Sequence, residues 1–251
     1  MNIKKHIPNA ITCGNLLCGC LAIVKAFEGD LVWTAYLAGI ALVLDFFDGF
    51  TARMLKVTSP IGKDLDSLAD MVTFGVVPGV VMFLMINFSI SDSIDPEPGR
   101  LWTHYDSVFP VSYLAFIITI FSCIRLAKFN NDTRQSDSFI GLPTPANTMV
   151  ICSFPLIEAF QPELHTVNFI IKDVNFLLIL SGLMSYLLVA EIPLFALKFK
   201  NFSWASNKLV YCFLIVSVIL LVSLKFVAIP LIILFYILIS IVTNIFLKNE
   251  V

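Results

Sequence analysis

Residues 31–70 read LVWTAYLAGIALVLDFFDGFTARMLKVTSPIGKDLDSLAD. The stretch begins as an apolar run and turns acidic at Asp45 and Asp48. A short polar turn containing Ser59-Pro60 follows, and Asp66 and Asp70 stand at the start of the next apolar run. A helix needs about 20 apolar residues to cross a bilayer, so spans are expected near 31–55 and 64–89. Two spans joined so closely are antiparallel neighbours, and their acidic ends lie on the same side of the membrane.

Helical geometry sharpens the pattern. At about 100° per residue, Asp45, Asp48, Gly49 and Ala52 fall within an arc of about 100°. Asp66 and Asp70 are one turn apart, with Gly62 a turn earlier on the same face. Four carboxylates from two helices are thus expected to converge, while Asp64 falls off this face and reads as a solvated end charge. One carboxylate at bilayer depth costs about 2.5–3.5 kcal/mol on insertion scales, and gathered like charges repel further. Two nearby cations, Arg53 and Lys63, cannot neutralise four anions, but a bound metal can. An all-carboxylate set with no His or Cys favours Mg²⁺, Mn²⁺ or Ca²⁺ over zinc. Mg²⁺ is commonly shared between a few carboxylates and substrate phosphates, which points to a phosphorylated substrate. Gly49 and Ala52 have two readings: room for a nucleotide against the helix backbone, or tight helix packing. Arg53 is a fork-shaped donor suited to phosphate.

The remainder of the chain fits a membrane bundle. Of 251 residues, 58% are hydrophobic and 14% charged, against about 25% charged in a soluble domain. The net charge of −2 gives no reason to expect nucleic acid as a partner. Eight spans are expected, near 8–28, 31–55, 64–89, 108–129, 143–161, 174–197, 208–224 and 226–247. The fifth is interrupted by Pro143, Pro145, Asn147 and Pro155. With a cytoplasmic N-terminus, 12 of the 16 Lys and Arg fall on the cytoplasmic side, among them Arg53, Lys56 and Lys63. The first apolar run, broken by Asn9, Thr12 and Asn15, reads as an uncleaved transmembrane helix rather than a signal peptide. The six cysteines read as small buried thiols. His6, His104 and His165 lie scattered at ends and in external loops and carry no catalytic pattern. No internal repeat is visible.

The pattern D-x2-D-G-x2-A-R-x8-G-x3-D-x3-D over residues 45–70 resembles the signature of the CDP-alcohol phosphatidyltransferase family. All eight signature positions match: Asp45, Asp48, Gly49, Ala52, Arg53, Gly62, Asp66 and Asp70. The opening Pro8-Asn9-Ala-Ile-Thr12 resembles the family's start. Residues 70–78, 125–130 and 139–146 resemble the branch formed by membrane-embedded bacterial phosphatidylserine synthases. The resemblance implies an all-α polytopic bundle with a six-helix core, here residues 1–197, and two additional C-terminal helices in 198–251. It implies CDP-diacylglycerol as donor and Mg²⁺ or Mn²⁺ as cofactor, held by Asp45, Asp48, Asp66 and Asp70. Asp70 would also take the proton from the acceptor hydroxyl. Gly49, Ala52, Arg53, Gly62, Asn9 and Thr12 would bind the CDP-lipid, and CMP would leave.

The acceptor implied is L-serine. Its carboxylate calls for a cation, which Arg125 or Lys128 can supply, with Asn130 as a hydrogen-bonding partner; positive-inside anchoring is the other role open to the two cations. Family analogy adds a homodimer, and the basic bias puts the site on the cytoplasmic face of the inner membrane. Two other readings stay open. One is the same chemistry on glycerol 3-phosphate or an inositol phosphate. The other is a cation transporter, disfavoured because transporter ion sites usually lie at the midplane between repeats.

Overall fold

The computed structural model describes residues 6–57, 60–94, 108–131, 139–195, 204 and 207–248. It is built almost wholly of helices. In chain order these are α1 (His6–Phe27), α2 (Leu31–Leu55), α3 (Pro60–Asp70), a π-helical turn (Met71–Val76), α4 (Val77–Ile94), a 3₁₀ turn (Pro110–Phe116), α5 (Ile117–Asn131), α6 (Thr144–Phe160), α7 (His165–Ile171), α8 (Val174–Val189), α9 (Lys208–Leu224), a 3₁₀ turn (Lys225–Val227) and α10 (Ala228–Lys248). Two short strands, β1 (Phe139–Ile140) and β2 (Pro193–Leu194), pair antiparallel.

Local chemistry sets the helix ends. Gly29 takes φ 78° in the turn after α1, and Asp30 caps α2 by accepting from the Trp33 amide at 3.0 Å. Asp173 caps α8 in the same way, accepting from Phe176 N at 2.8 Å. Pro143 and Pro145 sit before and within the first turn of α6, where a proline costs little. Pro155 lies inside that helix. The sequence predicts a span over 174–197, but α8 stops at Val189. Ala190 turns extended, and Pro193, which has no N–H to give to a helix, joins the β1–β2 pair instead.

Five helical stretches among the described residues are long and apolar enough to cross a membrane: His6–Phe27, Leu31–Leu55, Ile61–Ser93, Pro110–Asn131 and Lys208–Asn244. The last is broken at Lys225, where φ is 52°. The pair α7–α8, bent by 67°, would make a sixth. The protein is a multi-pass membrane bundle.

Its axis is the α3–α4 rod. Within Ile61–Ser93, 83% of the apolar window is buried in protein, against 6% for Lys208–Asn244. Val77, Val81, Met82, Leu84, Met85 and Ile86 on α4 form the centre of the core. Around them α1 and α2 meet along small buried residues, Ala22 and Ala26 against Ala35 and Ala38, which let the backbones approach closely. Five of the six cysteines are not buried in protein; only Cys152 is, so the expectation of buried thiols holds for that one alone. Lipid is an adequate solvent for the others.

The pair α9–α10 packs on the outside. Gln161, at the end of α6, clamps the turn between them: its Nε2 donates to Leu224 O at 3.1 Å and its Oε1 accepts from Phe226 N at 3.0 Å. Tyr236 Oη donates to Phe195 O at 2.8 Å.

Gly19 marks the closest crossing of α1 over the rod. A Cβ there would overlap Thr73 Oγ1 and stand 3.1 Å from Thr73 Cα, whereas a Cβ at Gly39 would meet nothing within 4 Å. Gly19→Val is therefore expected to destabilise the fold by about 1–3 kcal/mol, and Gly39→Ala to leave it unchanged or slightly more stable. Thermal unfolding in detergent checks both.

Candidate active site

The acidic residues come together as their spacing predicts. One carboxylate oxygen from each of Asp45, Asp48 and Asp66 lies within 4.8 Å of the others. Asp70, the last residue of α3, lies next to the Asp45 side chain. Asp48 is only 6% exposed and the other three are half-buried. Asp64 is exposed, outside the cluster.

Among the described residues, no Lys or Arg forms an ion pair with any of the four. Lys63 Nζ donates instead to Asn130 O at 2.9 Å. Four gathered carboxyl groups without a cationic side chain suit a divalent ion. Oxygens sharing one Mg²⁺ at about 2.1 Å stand about 3–4 Å apart, so the cluster needs only small side-chain adjustments to close on one. The donor set is all oxygen, the chemistry of Mg²⁺ or Mn²⁺.

Helix α1 supplies the support. Pro8, Thr12, Asn15, Gly19, Ala22 and Ala26 form its buried stripe. Thr12 Oγ1 donates to Asp48 Oδ2 at 2.6 Å, and Asn15 Nδ2 donates to Asp70 Oδ1 at 3.2 Å. Thr12 therefore orients an acidic residue. Asn9, half-buried, lies one residue off the stripe. The structure adds Asn15, which the sequence reading leaves as a mere polar interruption of the first helix. The signal was present: Asn15 follows Thr12 by three residues, one turn on the same face. Asn15 is fully buried, and its Oδ1 has no partner, a polar atom left open beside the acids.

The remaining predicted residues divide. Gly49 and Ala52 are half-buried on the acidic side of α2. The Arg53 guanidinium folds back over Gly49, its Nη1 3.6 Å from the point a Cβ would occupy. A single donor fork thus hangs over the smallest residue of the face. Gly62 is half-buried on α3, a turn before Asp66.

Arg125, Lys128 and Asn130 have different surroundings. Arg125 is buried, with Nε donating to Leu142 O at 3.4 Å and its guanidinium 5.3 Å from the Phe129 ring centre. Lys128 is exposed. Asn130 Nδ2 donates to Ser67 Oγ at 2.8 Å, fastening the end of α5 to α3.

Groups that orient metal ligands usually contribute 10–100-fold to affinity or activity. Thr12→Val and Asn15→Leu are each expected to weaken Mn²⁺ binding by about that factor, while far-UV circular dichroism stays unchanged. Titration followed by the Mn²⁺ electron paramagnetic resonance signal measures it.

Comparison with known proteins agrees with this geometry. Residues 5–187 match the family model described as CDP-alcohol phosphatidyltransferase. A CDP-diacylglycerol--serine O-phosphatidyltransferase of Helicobacter pylori strain J99 is 33% identical over 153 residues, 60% of this chain and 57% of the relative. The chain thus spans little more than half the length of that relative. The Bacillus subtilis protein of the same name is 35% identical over 151 residues, 59% of this chain and 76% of the relative. An archaetidylserine synthase of Methanothermobacter thermautotrophicus is 29% identical over 188 residues, 72% of each. With the family match covering most of the sequence and all four acidic positions, the chain belongs to the CDP-alcohol phosphatidyltransferase family.

Proposed function

We propose that this protein transfers the phosphatidyl group of CDP-diacylglycerol to the hydroxyl of L-serine, giving phosphatidylserine and CMP. The observation that carries the reading is the carboxylate cluster: oxygens of Asp45, Asp48 and Asp66 within 4.8 Å, next to Asp70, in a chain of this family. The serine acceptor is supported by the names of the bacterial and archaeal relatives, all of which refer to serine.

Asp45, Asp48, Asp66 and Asp70 would hold Mg²⁺ or Mn²⁺, which when bound offsets the charge of the diphosphate and of the departing CMP. The chain's own residues do the rest. Arg53, lying over Gly49, donates to a phosphate oxygen, and the small Gly49, Ala52 and Gly62 leave the CDP group room against the helices. Thr12 and Asn15 hold Asp48 and Asp70 in place, and Asn9 lines the same end of α1. Asp70 accepts the proton of the serine hydroxyl as its oxygen bonds to the diacylglycerol-bearing phosphorus. The bond from that phosphorus to the bridging oxygen breaks, and CMP leaves with the electron pair. A positioned base of this kind contributes about 10²–10⁴-fold.

The excess of Lys and Arg around the acidic end supports a cytoplasmic site in the inner membrane. Residues 1–197 would form the catalytic core and 198–251 an added helix pair, in a homodimer by family analogy.

With purified protein, CDP-diacylglycerol and L-serine, CMP release is expected, to cease on exhaustive chelation and to return with Mg²⁺ or Mn²⁺. Release with glycerol 3-phosphate but none with serine would overturn the acceptor assignment. Asp70→Asn is expected to lower kcat by about 10²–10⁴-fold while CDP-lipid binding persists; near-normal kcat would remove Asp70 as the base.

A further inference from the structure

The π-helical turn Met71–Val76 follows Asp70 directly. Such widened turns leave backbone carbonyls outside the regular ladder and occur frequently at functional sites. Here threonines from neighbouring helices take them up: Thr119 Oγ1 on α5 donates to Gly75 O at 3.0 Å, and Thr148 Oγ1 on α6 donates to Phe74 O at 3.1 Å. From within the turn, Thr73 Oγ1 donates to Asn15 O on α1 at 3.3 Å. The backbone is accounted for, but the side chains around it are not.

Ser122 on α5 and Asn147 on α6 are both 0% exposed. Ser122 Oγ has no hydrogen-bond partner, and neither Nδ2 nor Oδ1 of Asn147 has one. Other buried serines of this bundle have partners: Ser181 bonds back to Leu177 O, Ser185 to Ser181 O and Ser240 to Tyr236 O, and Ser112 bonds to Asn87 Oδ1. Ser122 has none. A fully buried amide with both atoms unpaired inside a membrane protein is costly, and each such group in a native structure calls for a partner.

Both residues belong to the helices packed on the π turn that follows Asp70. The Ser122 Cβ stands 3.3 Å from the point where Gly75 would carry its own, and Asn147 adjoins the Thr148 that binds Phe74 O. Asn15 Oδ1, also buried and unpaired, borders the same turn from α1. One turn along α5 from Ser122 comes Arg125, 4% exposed, a fixed cation directed to the chain entering α6.

We infer that Ser122 and Asn147 line the acceptor subsite and select a small zwitterionic amino alcohol; the inference rests on the phosphatidyl-transfer reading above. The chemistry is matched in kind. Asn147 offers two donors and an acceptor, Ser122 a donor and an acceptor, and Asn15 Oδ1 an acceptor. Acceptor oxygens suit an ammonium group; amide, hydroxyl and guanidinium donors suit a carboxylate. Arg125 is the one buried cation among the described residues.

The test uses the full chain in lipid nanodiscs with Mn²⁺, saturating CDP-diacylglycerol and varied L-serine. Asn147→Leu, similar in size but without polar atoms, and Ser122→Ala are each expected to raise the serine KM tenfold or more, with the KM for CDP-diacylglycerol within twofold of wild type. A serine KM within twofold of wild type in both variants overturns the assignment. So does an equal fall of kcat with both substrates' KM values displaced together, the mark of a structural role. If Asn147→Leu does not fold, Ser122→Ala, the smaller change, decides alone. Should the wild type release CMP only with a different alcohol, the serine reading fails, and the same two variants measured on that alcohol decide the subsite separately.

Discussion

Four carboxyl groups held together inside a membrane bundle are the constraint from which the rest of this structure follows. Burying one such group is expensive, and crowding several raises the expense. Among the described residues no cationic side chain pairs with the four; helix geometry gathers them. Asp45 and Asp48 come from the end of α2, Asp66 and Asp70 from α3, and the turn between them keeps both helix ends on one side. Such a cluster could hold a divalent ion, and an all-oxygen donor set suits one that also binds phosphate.

Bringing a third helix to the acids requires close packing. Thr12 and Asn15 reach Asp48 and Asp70 only because α1 lies directly on the rod, where Gly19 touches Thr73. The alanines between α1 and α2 serve the same end. The functional groups thus sit on helices locked by packing, which holds them more precisely than loops would. The outer pair α9–α10 plays no part in this; it is attached through Gln161 and Tyr236, far along the chain from the acids.

The spacing of the acidic residues was readable because helical periodicity converts position into direction with no tertiary information. The same holds for Asp64, whose exposure follows from falling off the acidic face. Asn15 was harder to read, since its role depends on which helix lies opposite it. The π turn was not readable: nothing in Met71–Val76 distinguishes it from ordinary helix, and the threonines that hold it come from residues 119 and 148. Asn130 resembles a substrate ligand in sequence, yet its amide is engaged with Ser67. The end of α8 was misplaced because the apolar run continues beyond Val189, while the β1–β2 pairing that ends the helix is a contact between distant segments.

The same turns of α2 that carry the acids carry Phe46, Phe47, Phe50 and Met54 on the outer side, all exposed from the protein, with Phe46 and Phe50 stacked at 6.3 Å. An acidic face and a lipid-compatible face therefore share one helix, less than its own diameter of about 10–12 Å apart. A substrate with a charged diphosphate and two acyl chains needs both environments at that separation, since its headgroup must leave the lipid surface while its tails remain in it. A soluble amino alcohol needs neither. In the proposed reading it needs a polar interior sealed from lipid, and the fully buried Ser122 and Asn147 offer one beside the turn that follows Asp70. On that reading the two reactants would reach Asp70 from opposite solvents, directly before the point where its helix widens.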